Sequence, residues 1–522
     1  MNAPVVPGGY VGFWKVSADG SRVFYAGWPV TVGMNEVYDV PLDGSQASRA
    51  LSAPFLPGRG CFPNASFQLS PTETRVLYLA DQDTDEMQEL FSVPTDGSRV
   101  STKLSGPLIA QGDVLDFQQT PNGTRVVYRA DATANNLYHL FSAPADVSTP
   151  PVQLHPQMAF EFKVTPDSSR VVFRASQLNS VPVDGSAPAQ LLSNSGVTEY
   201  VGEFAITPDG QRAVFEGGYW YPDPVTEDEL ARGLYSVPLD GSGPVLELIE
   251  PIEATFSLSY PAEFLITPDS TRAVFHSLVD GQLFGAHTAG LTPSVRLNDL
   301  PFANTVRSFR LSSDGSQVVF VAGSGGGHAL YRVPVDGSAT PVALTPLYPA
   351  GLLDNLEVSA SGRVVYVRLP FNSSIHAELY SVRLDGMLAP VRLSDPPASG
   401  SGIGNPDFTS GPRLWISPDA GWVVYLAHQD ASRVVELFCA PIDGRHPAQR
   451  VSAPMVAGGD VYSVQFVPSA LRLVYSADQE TDGTNELFTS SYGARVPHGP
   501  PQPPTKGLQA SGNPGSATMT AP

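Results

Sequence analysis

The sequence predicts an all-β chain, a β-propeller of about ten four-stranded blades. Three observations carry this expectation. One phrase recurs ten times along the chain, a second phrase follows most of its copies, and the 48 Gly and 50 Pro are too many for a helical protein. Abundant Gly and Pro suit short strands joined by many turns.

The first phrase is a small residue, then Pro, Asp, Gly or Ser, any residue, Arg, and an apolar strand ending in an aromatic. It reads SADGSRVFY from Ser17, SPTETRVLY from Ser70, TPNGTRVVY from Thr120, TPDSSRVVF from Thr165 and TPDGQRAVF from Thr207. It continues as TPDSTRAVF from Thr267, SSDGSQVVF from Ser312, SASGRVVY from Ser359, SPDAGWVVY from Ser417 and VPSALRLVY from Val467. The copies stand 42 to 60 residues apart, near the ~40–50 of propeller blades. The second phrase is NEVYDVPLDGS from Asn35, ELFSVPTDGS from Glu89, LYSVPLDGS from Leu234, LYRVPVDGS from Leu330 and their variants. It is degenerate as LFGAHTAG from Leu283 and shortened to ELFTSS from Glu486.

Each unit then parses into four strands. The first precedes the Pro-Asp turn, and the second is the Arg-Val-Val-Tyr segment with period-two alternation. The third is Leu-Tyr-Ser-Val-Pro. Asp-Gly ends it because Gly accepts positive φ and Asp bonds its own backbone. A short fourth strand follows, such as Val391 to Leu393. The units run over about 10–50, 63–104, 113–154, 160–192, 201–248, 261–297, 305–345, 354–393, 412–451 and 461–497.

One such sheet cannot cover its own faces, so radial stacking is the physical reason for repetition. The aromatics Tyr25, Tyr78, Tyr128, Phe173, Phe215, Phe275, Phe320, Tyr366, Tyr425 and Tyr475 are expected between blades. The arginines Arg22, Arg75, Arg125, Arg170, Arg212, Arg272 and Arg472 read as structural partners of turn carboxylates. A single large ring is favoured over two smaller ones, because no Pro/Ser linker divides the array. The seam between first and last blades is then expected to be the weakest joint. Residues 491–522 are rich in Pro, Gly, Ser and Thr and read as a disordered tail.

The phrases TPDG-x-R-hydrophobic-F and LYSVPLDG resemble the WD40-like (PD40) repeat of the TolB-like propeller family, over about residues 10 to 490. The resemblance implies a non-catalytic binding scaffold of the cell envelope or exterior, in a periplasmic or secreted location. The chain departs from TolB in having more than six blades and no N-terminal partner domain. Some related hydrolases carry an α/β-hydrolase domain after the propeller. Only the tail follows here, so that activity is expected to be absent.

Acidic residues outnumber basic ones by 51 to 30, a formal charge of −21. Such a surface repels nucleic acid and anionic membranes. No apolar run approaches the ~20 residues of a spanning helix, and Met1 to Tyr10 does not read as a signal peptide. Cys61 and Cys439 give no disulfide framework or zinc motif.

The loops between strands two and three, with the connections between blades, carry most of the length variation and form the candidate binding face. Ser52 to Ser66, Glu216 to Gly233 and Ser394 to Pro412 are the longest. The second holds Tyr219, Trp220 and Tyr221 beside Glu227 and Asp228, a composition that suits protein or sugar recognition. Alternating carboxylates occur at Asp81, Asp83 and Asp85 and at Asp478, Glu480 and Asp482. Hard oxygens so spaced are candidates to wrap calcium, with solvated hairpin tips as the plainer reading. His276, His328, His376 and His428 fall near the same face at differing offsets, which argues against one shared metal.

No Gly-x-Ser-x-Gly elbow is present, and GSGGGH from Gly323 lacks the Lys-Ser/Thr ending of a phosphate loop. The expectation is therefore a monomeric protein, not an enzyme, that binds a protein partner through its variable loops and central channel. The alternatives are a lyase or glycan hydrolase with a channel site, or a calcium-stabilised surface protein. A channel enzyme would draw on Asp113, Asp116, Glu161, Glu203, Glu263, Arg307 and Glu357 of the first strands.

Overall fold

A computed structural model describes residues 10–28, 35–53, 55, 60–61, 67–193, 198–223, 227–252, 263–277, 280–300, 305–324, 326–349, 351–370, 377–395, 402–403, 414–428, 434–468 and 470–493. Side chains of residues 220–230 lie outside that description. Ten antiparallel sheets follow one another along the chain and close into a single ring. Blade 1 is typical: Val11–Val16, Arg22–Gly27, Glu36–Pro41 and Arg49–Ala50 pair in sequence order. Blades 2 to 10 cover 68–103, 114–158, 161–191, 200–252, 263–296, 305–343, 351–392, 402–450 and 461–491. Blade 9 builds its first strand in two pieces, Gly402–Ile403 and Leu414–Ile416, which both pair with Trp422–His428. Blade 10 has three described strands.

The recurring aromatics sit where the pattern places them. Each is 2 % exposed or less. The register sets most of them opposite an aromatic of strand three: Tyr25 faces Tyr38 and Tyr425 faces Phe438. Those rings stack at centroid distances of 5.2 and 5.8 Å. Around these pairs stand ten apolar cores, one at each junction between neighbouring blades. The core therefore lies between sheets all round the ring, and every blade buries both faces.

The Pro-Asp turns explain the first phrase. Thr207 Oγ1 donates to Asp209 Oδ1 at 2.6 Å and accepts the Arg212 amide at 3.0 Å. Gly210 supplies φ +72°. That left-handed conformation is what favours glycine here, since a Cβ would make only ordinary contact with Pro166 of the preceding blade at 3.5 Å. At the same position Ser168 and Ser270 accept positive φ and use their hydroxyls between blades. They receive the amides of Asn122 and Asp209 at 3.0 and 2.9 Å.

The repeated arginines, expected to pair with turn carboxylates, instead hold the serine of Leu-Tyr-Ser-Val-Pro. Arg75, Arg125, Arg170 and Arg212 donate Nε to Ser92, Ser142, Ser180 and Ser236 at 3.0, 2.8, 2.6 and 2.7 Å. The reason is register: that serine points to the same buried side of the sheet as the arginine stem. In blade 1 an aspartate replaces the serine, and Asp39 is fully buried between Arg22 (2.5 Å) and Arg49 (2.8 Å). A third recurring feature goes unread in the sequence. A Leu-Ser, Leu-Thr or Leu-Asn pair follows strand four, and its polar side chain accepts an amide in the first half of strand three. Examples are Leu178 to Ser193 (2.9 Å), Leu283 to Asn298 (3.1 Å) and Leu330 to Thr345 (3.0 Å).

Blades are tied by one repeated backbone bond. The amide entering strand one donates to the carbonyl just before strand three of the preceding blade. It joins Cys61 to Asn35 (2.7 Å), Val114 to Gln88 (2.8 Å), Ala159 to Tyr138 (3.0 Å), Val306 to Gly281 (2.9 Å) and Val461 to Val435 (3.0 Å). The seam has it too, from Val11 to Asn485 at 3.0 Å. Trp14 Nε1 to Ser463 (3.0 Å), Gln465 Nε2 to the Trp14 carbonyl (3.0 Å) and Asn485 Nδ2 to the Val11 carbonyl (2.8 Å) reinforce it. The expectation of a weak seam is thus corrected: blades 10 and 1 meet through the same device as other neighbours.

Two outcomes follow. Ser236→Ala strands the Arg212 guanidinium, so the unfolding midpoint falls by the equivalent of about 1–3 kcal/mol; an unchanged midpoint contradicts the assignment. Side-chain hydrogen bonds from the neighbouring Ser or Thr hold Asp19, Asp43, Asp167, Asp184, Asp269 and Asp314 below the usual carboxylate range. A carboxyl whose folded pKa is depressed stabilises the fold above its unfolded value and loses that contribution as pH falls through the folded one. The melting temperature therefore drops progressively below about pH 4; a flat profile down to about pH 2 contradicts it.

Candidate functional site

Blade 5 departs most from the repeat. Its second and third strands, Arg212–Asp223 and Glu227–Pro238, are twelve residues each, against five to eight for strand two elsewhere. The segment read as a loop, Glu216 to Gly233, is instead a continuation of the hairpin. The aromatic run Tyr219-Trp220-Tyr221 is strong strand-forming sequence, and that signal outweighs the turn residues near it.

Strand one pairs with the hairpin only as far as Gly218, and strand four only back to Arg232. Beyond them five pairs stand as a two-stranded ribbon: Tyr219–Ala231, Trp220–Leu230, Tyr221–Glu229, Pro222–Asp228 and Asp223–Glu227. Five residues at about 3.4 Å each project roughly 17 Å past the blade. Tyr219 is 39 % exposed. Of the sequence-predicted binding residues, Trp220, Tyr221, Glu227 and Asp228 are placed by backbone register alone.

The ribbon's base is fixed. Glu216 is fully buried and meets the Arg232 guanidinium at 3.0 Å. That guanidinium lies 5.5 Å from the Tyr200 ring centre. Burial, followed by the Glu216 charge, pushes the Tyr200 phenol upward. Gly217 and Gly218 stand where the hairpin leaves the blade. A Cβ on Gly218 would come 1.8 Å from the Ala231 carbonyl oxygen, so only glycine fits.

The acidic tips are put to structural use. Asp81 accepts the Gly60 amide at 2.6 Å and is 7 % exposed. Asp478 is 1 % exposed and accepts the amides of Asp460 and Gly483. Asp83 lies 3.8 Å from Lys103. Asp482 packs beside Gly458. Asp85 and Glu480 belong to the same two tips without joining these carboxylates into a cage. Among the described residues no group of three or more His, Cys, Asp or Glu is arranged to hold a metal. The missed signal was Asp131, in an equivalent loop, which likewise takes the amides of Asp113 and Asn136.

The histidines also stay apart. His276 is buried with its ring edge on Phe309, and desolvation lowers its pKa. His328 Nδ1 lies 3.0 Å from the Gly351 carbonyl. His428 is buried in blade 9, and His376 lies outside the described residues. Cys61 and Cys439 are buried free thiols, and burial pushes Cys439 up to about 11. Most of Ser52 to Ser66 and Ser394 to Pro412 lies outside the described residues as well.

First strands of neighbouring blades meet at the centre of the ring. Several of their carboxylates are partnered there. Asp116 pairs with Arg129 (2.5 Å) and Glu161 with Lys163 (3.2 Å). Arg310 of blade 7 spans three blades, reaching Glu263 at 3.3 Å and Glu357 at 3.8 Å. Asp113 accepts the Gln88 amide at 2.6 Å, and burial raises its pKa. Glu203 and Arg307 lie on first strands of blades 5 and 7.

No protein-family model matches the chain, and no curated protein matches it in sequence. Solved structures are similar to it at low identity. A crystal structure of the eukaryotic initiation factor is 12 % identical, covering 82 % of this chain and 95 % of that one, with a TM-score of 0.48. Dipeptidyl peptidase 4 of Porphyromonas gingivalis is 11 % identical over 79 % and 56 %, TM-score 0.44, and a prolyl endopeptidase is 12 % identical over 80 % and 54 %, TM-score 0.36. A putative TolB from Agrobacterium tumefaciens is 17 % identical over 46 % and 83 %, TM-score 0.25. The chain is a ten-bladed propeller, with a TolB-like structure among its neighbours. The expectation that it is not an enzyme is corrected here. Peptidases are among the solved structures it is similar to. No helix among the described residues is long and apolar enough to cross a membrane.

Because the Asp81 and Asp478 carboxylates are taken by backbone amides, thermal unfolding in calcium and in chelator gives the same midpoint. A calcium-dependent rise would restore the acidic tips as cation sites.

Proposed function

We propose that the ring is a scaffold that binds a protein partner through the blade 5 ribbon. The single observation that carries this reading is the ribbon itself: five strand pairs standing beyond the blade with no third strand among the described residues. A lone two-stranded ribbon is marginal in water, and its open edges are templates for strand addition. The tip sequence, with Asp223, Glu227, Asp228 and Glu229, and the net charge of −21 favour a basic partner. The aromatics Tyr219, Trp220 and Tyr221 supply the residue types that dominate binding energy at interfaces. The buried Glu216–Arg232 pair at the base presets the ribbon's direction, which limits the ordering cost of binding. The repeat resemblance supports an extracytoplasmic setting for this partner.

The experiment is affinity capture with the full chain, repeated with a variant in which residues 219–231 are replaced by Asn-Gly. Loss of the captured partner with an unchanged melting temperature is the expected result. Full retention of the partner by the shortened variant contradicts the reading.

A further inference from the structure

The residue just after the strand-two aromatic faces the following blade. Leu79, Val321, Val367 and Leu426 hold this place in blades 2, 7, 8 and 9, each in the apolar core shared with the next blade. Arg129 of blade 3 and Glu216 of blade 5 take it with an opposite charge, from Asp116 at 2.5 Å and Arg232 at 3.0 Å. Blade 6 does neither. Its residue is His276, 4 % exposed, with its ring edge-on to Phe309 of blade 7 at 6.2 Å and 73°. Val274, Leu283, Val306 and Phe309 belong to the apolar core of this junction. The histidine Nε2 is buried without a hydrogen-bond partner among the described residues. Burial lowers the imidazole pKa, and the Val306 backbone and Asp280 offset that in part.

The charged groups around the ring are engaged elsewhere or carry its own sign. Glu263 stands opposite His276 on strand one and meets Arg310 of blade 7 at 3.3 Å. Asp280, exposed, accepts the Gln282 amide at 3.2 Å. Strand three sets Leu283 opposite the histidine. The first strand of blade 7 brings Val306 and Phe309, with Arg307 and Arg310 beside them. A proton on the imidazole would therefore put a cation into an apolar junction, at the cost of an unpaired buried charge. The backbone tie between the two blades runs through the same place. Ser277, next to the histidine, accepts the Gly281 amide at 2.9 Å, and the Gly281 carbonyl accepts the Val306 amide at 2.9 Å.

We propose that the junction of blades 6 and 7 is a proton-operated joint: neutral His276 seals it against Phe309, and a proton on the imidazole parts Val306 and Phe309 from blade 6. Histidine is the side chain whose ordinary charge change falls between pH 5 and 8. In the open joint the ring takes its proton near pH 6.5, its ordinary value, and in the closed joint at lower pH. The open state thus binds more protons below about pH 6.5. Closure is complete above that pH and weakens as pH falls from there through the closed-state value, by up to about tenfold per pH unit. This window lies above that of the turn carboxylates, which titrate below about pH 4.

The test is hydrogen exchange by mass spectrometry on the full chain between about pH 7.5 and about pH 5, a range that spans the ordinary histidine value. Exchange is read as a protection factor, which removes its intrinsic dependence on pH. Val306 is compared with Val114 and Val461, which make the same bond between other blades. The expected result is a loss of about tenfold or more in protection at Val306 over this range, with Val114 and Val461 unmoved. His276→Leu, the residue of blades 2 and 9, is expected to hold Val306 protection level across the range, and His276→Gln serves if the leucine chain does not fold. A Val306 protection factor independent of pH overturns the proposal. An equal fall in the variant overturns it too, since the titrating group would then lie elsewhere. So does equal loss at Val114 and Val461, which would make the effect a property of the whole ring.

Discussion

Everything in this ring depends on how one blade grips the next. A four-stranded sheet exposes two apolar faces, and only a neighbour on each side can cover them. The grip has a polar and an apolar part. The polar part is the strand-one amide given to the preceding blade's carbonyl, from Cys61–Asn35 round to Val11–Asn485. The apolar part is a core at each junction, built on aromatics such as Tyr25 and Tyr425. The amide bond sets the height of each blade relative to the last, while the stacked rings are paired within each blade by the register of strands two and three.

The fold was largely legible because each conspicuous residue of the repeat answers to a local physical demand. Asp-Gly and Pro-Asp turns need positive φ and side-chain acceptors, and strand-two aromatics need a facing ring. What the phrases hid was partnership across strands. The serine of Leu-Tyr-Ser-Val-Pro looks like a solvent-facing residue, yet Ser180 and Ser236 are fully buried acceptors for Arg170 and Arg212. The strand-four pair Leu192-Ser193 looked like the end of a short strand, but it caps the start of strand three. Both depend on register, which a single phrase does not display.

The candidate site was legible in part. Tyr219, Trp220 and Tyr221 stood out by composition. That they extend a hairpin follows from pairing with Ala231, Leu230 and Glu229, ten or so residues away. The acidic tips show the opposite case. Alternating carboxylates resemble a cation loop, but Asp81, Asp131 and Asp478 are all turned inward to receive amides of their own blade. A carboxylate serving several backbone N–H groups is a structural clamp. The ribbon of blade 5 is what the repeat alone does not require, and the proposed binding role rests there.

The central claim is that the chain closes as one ring, its seam made like its other joints. Native-state hydrogen exchange of the Val11 amide, compared with Val114 and Val461, tests it most directly. The account predicts comparable protection for the three, because each donates the same bond to the preceding blade. Exchange of Val11 at the rate of an unstructured amide, with Val114 and Val461 protected, would contradict it and leave the ring open.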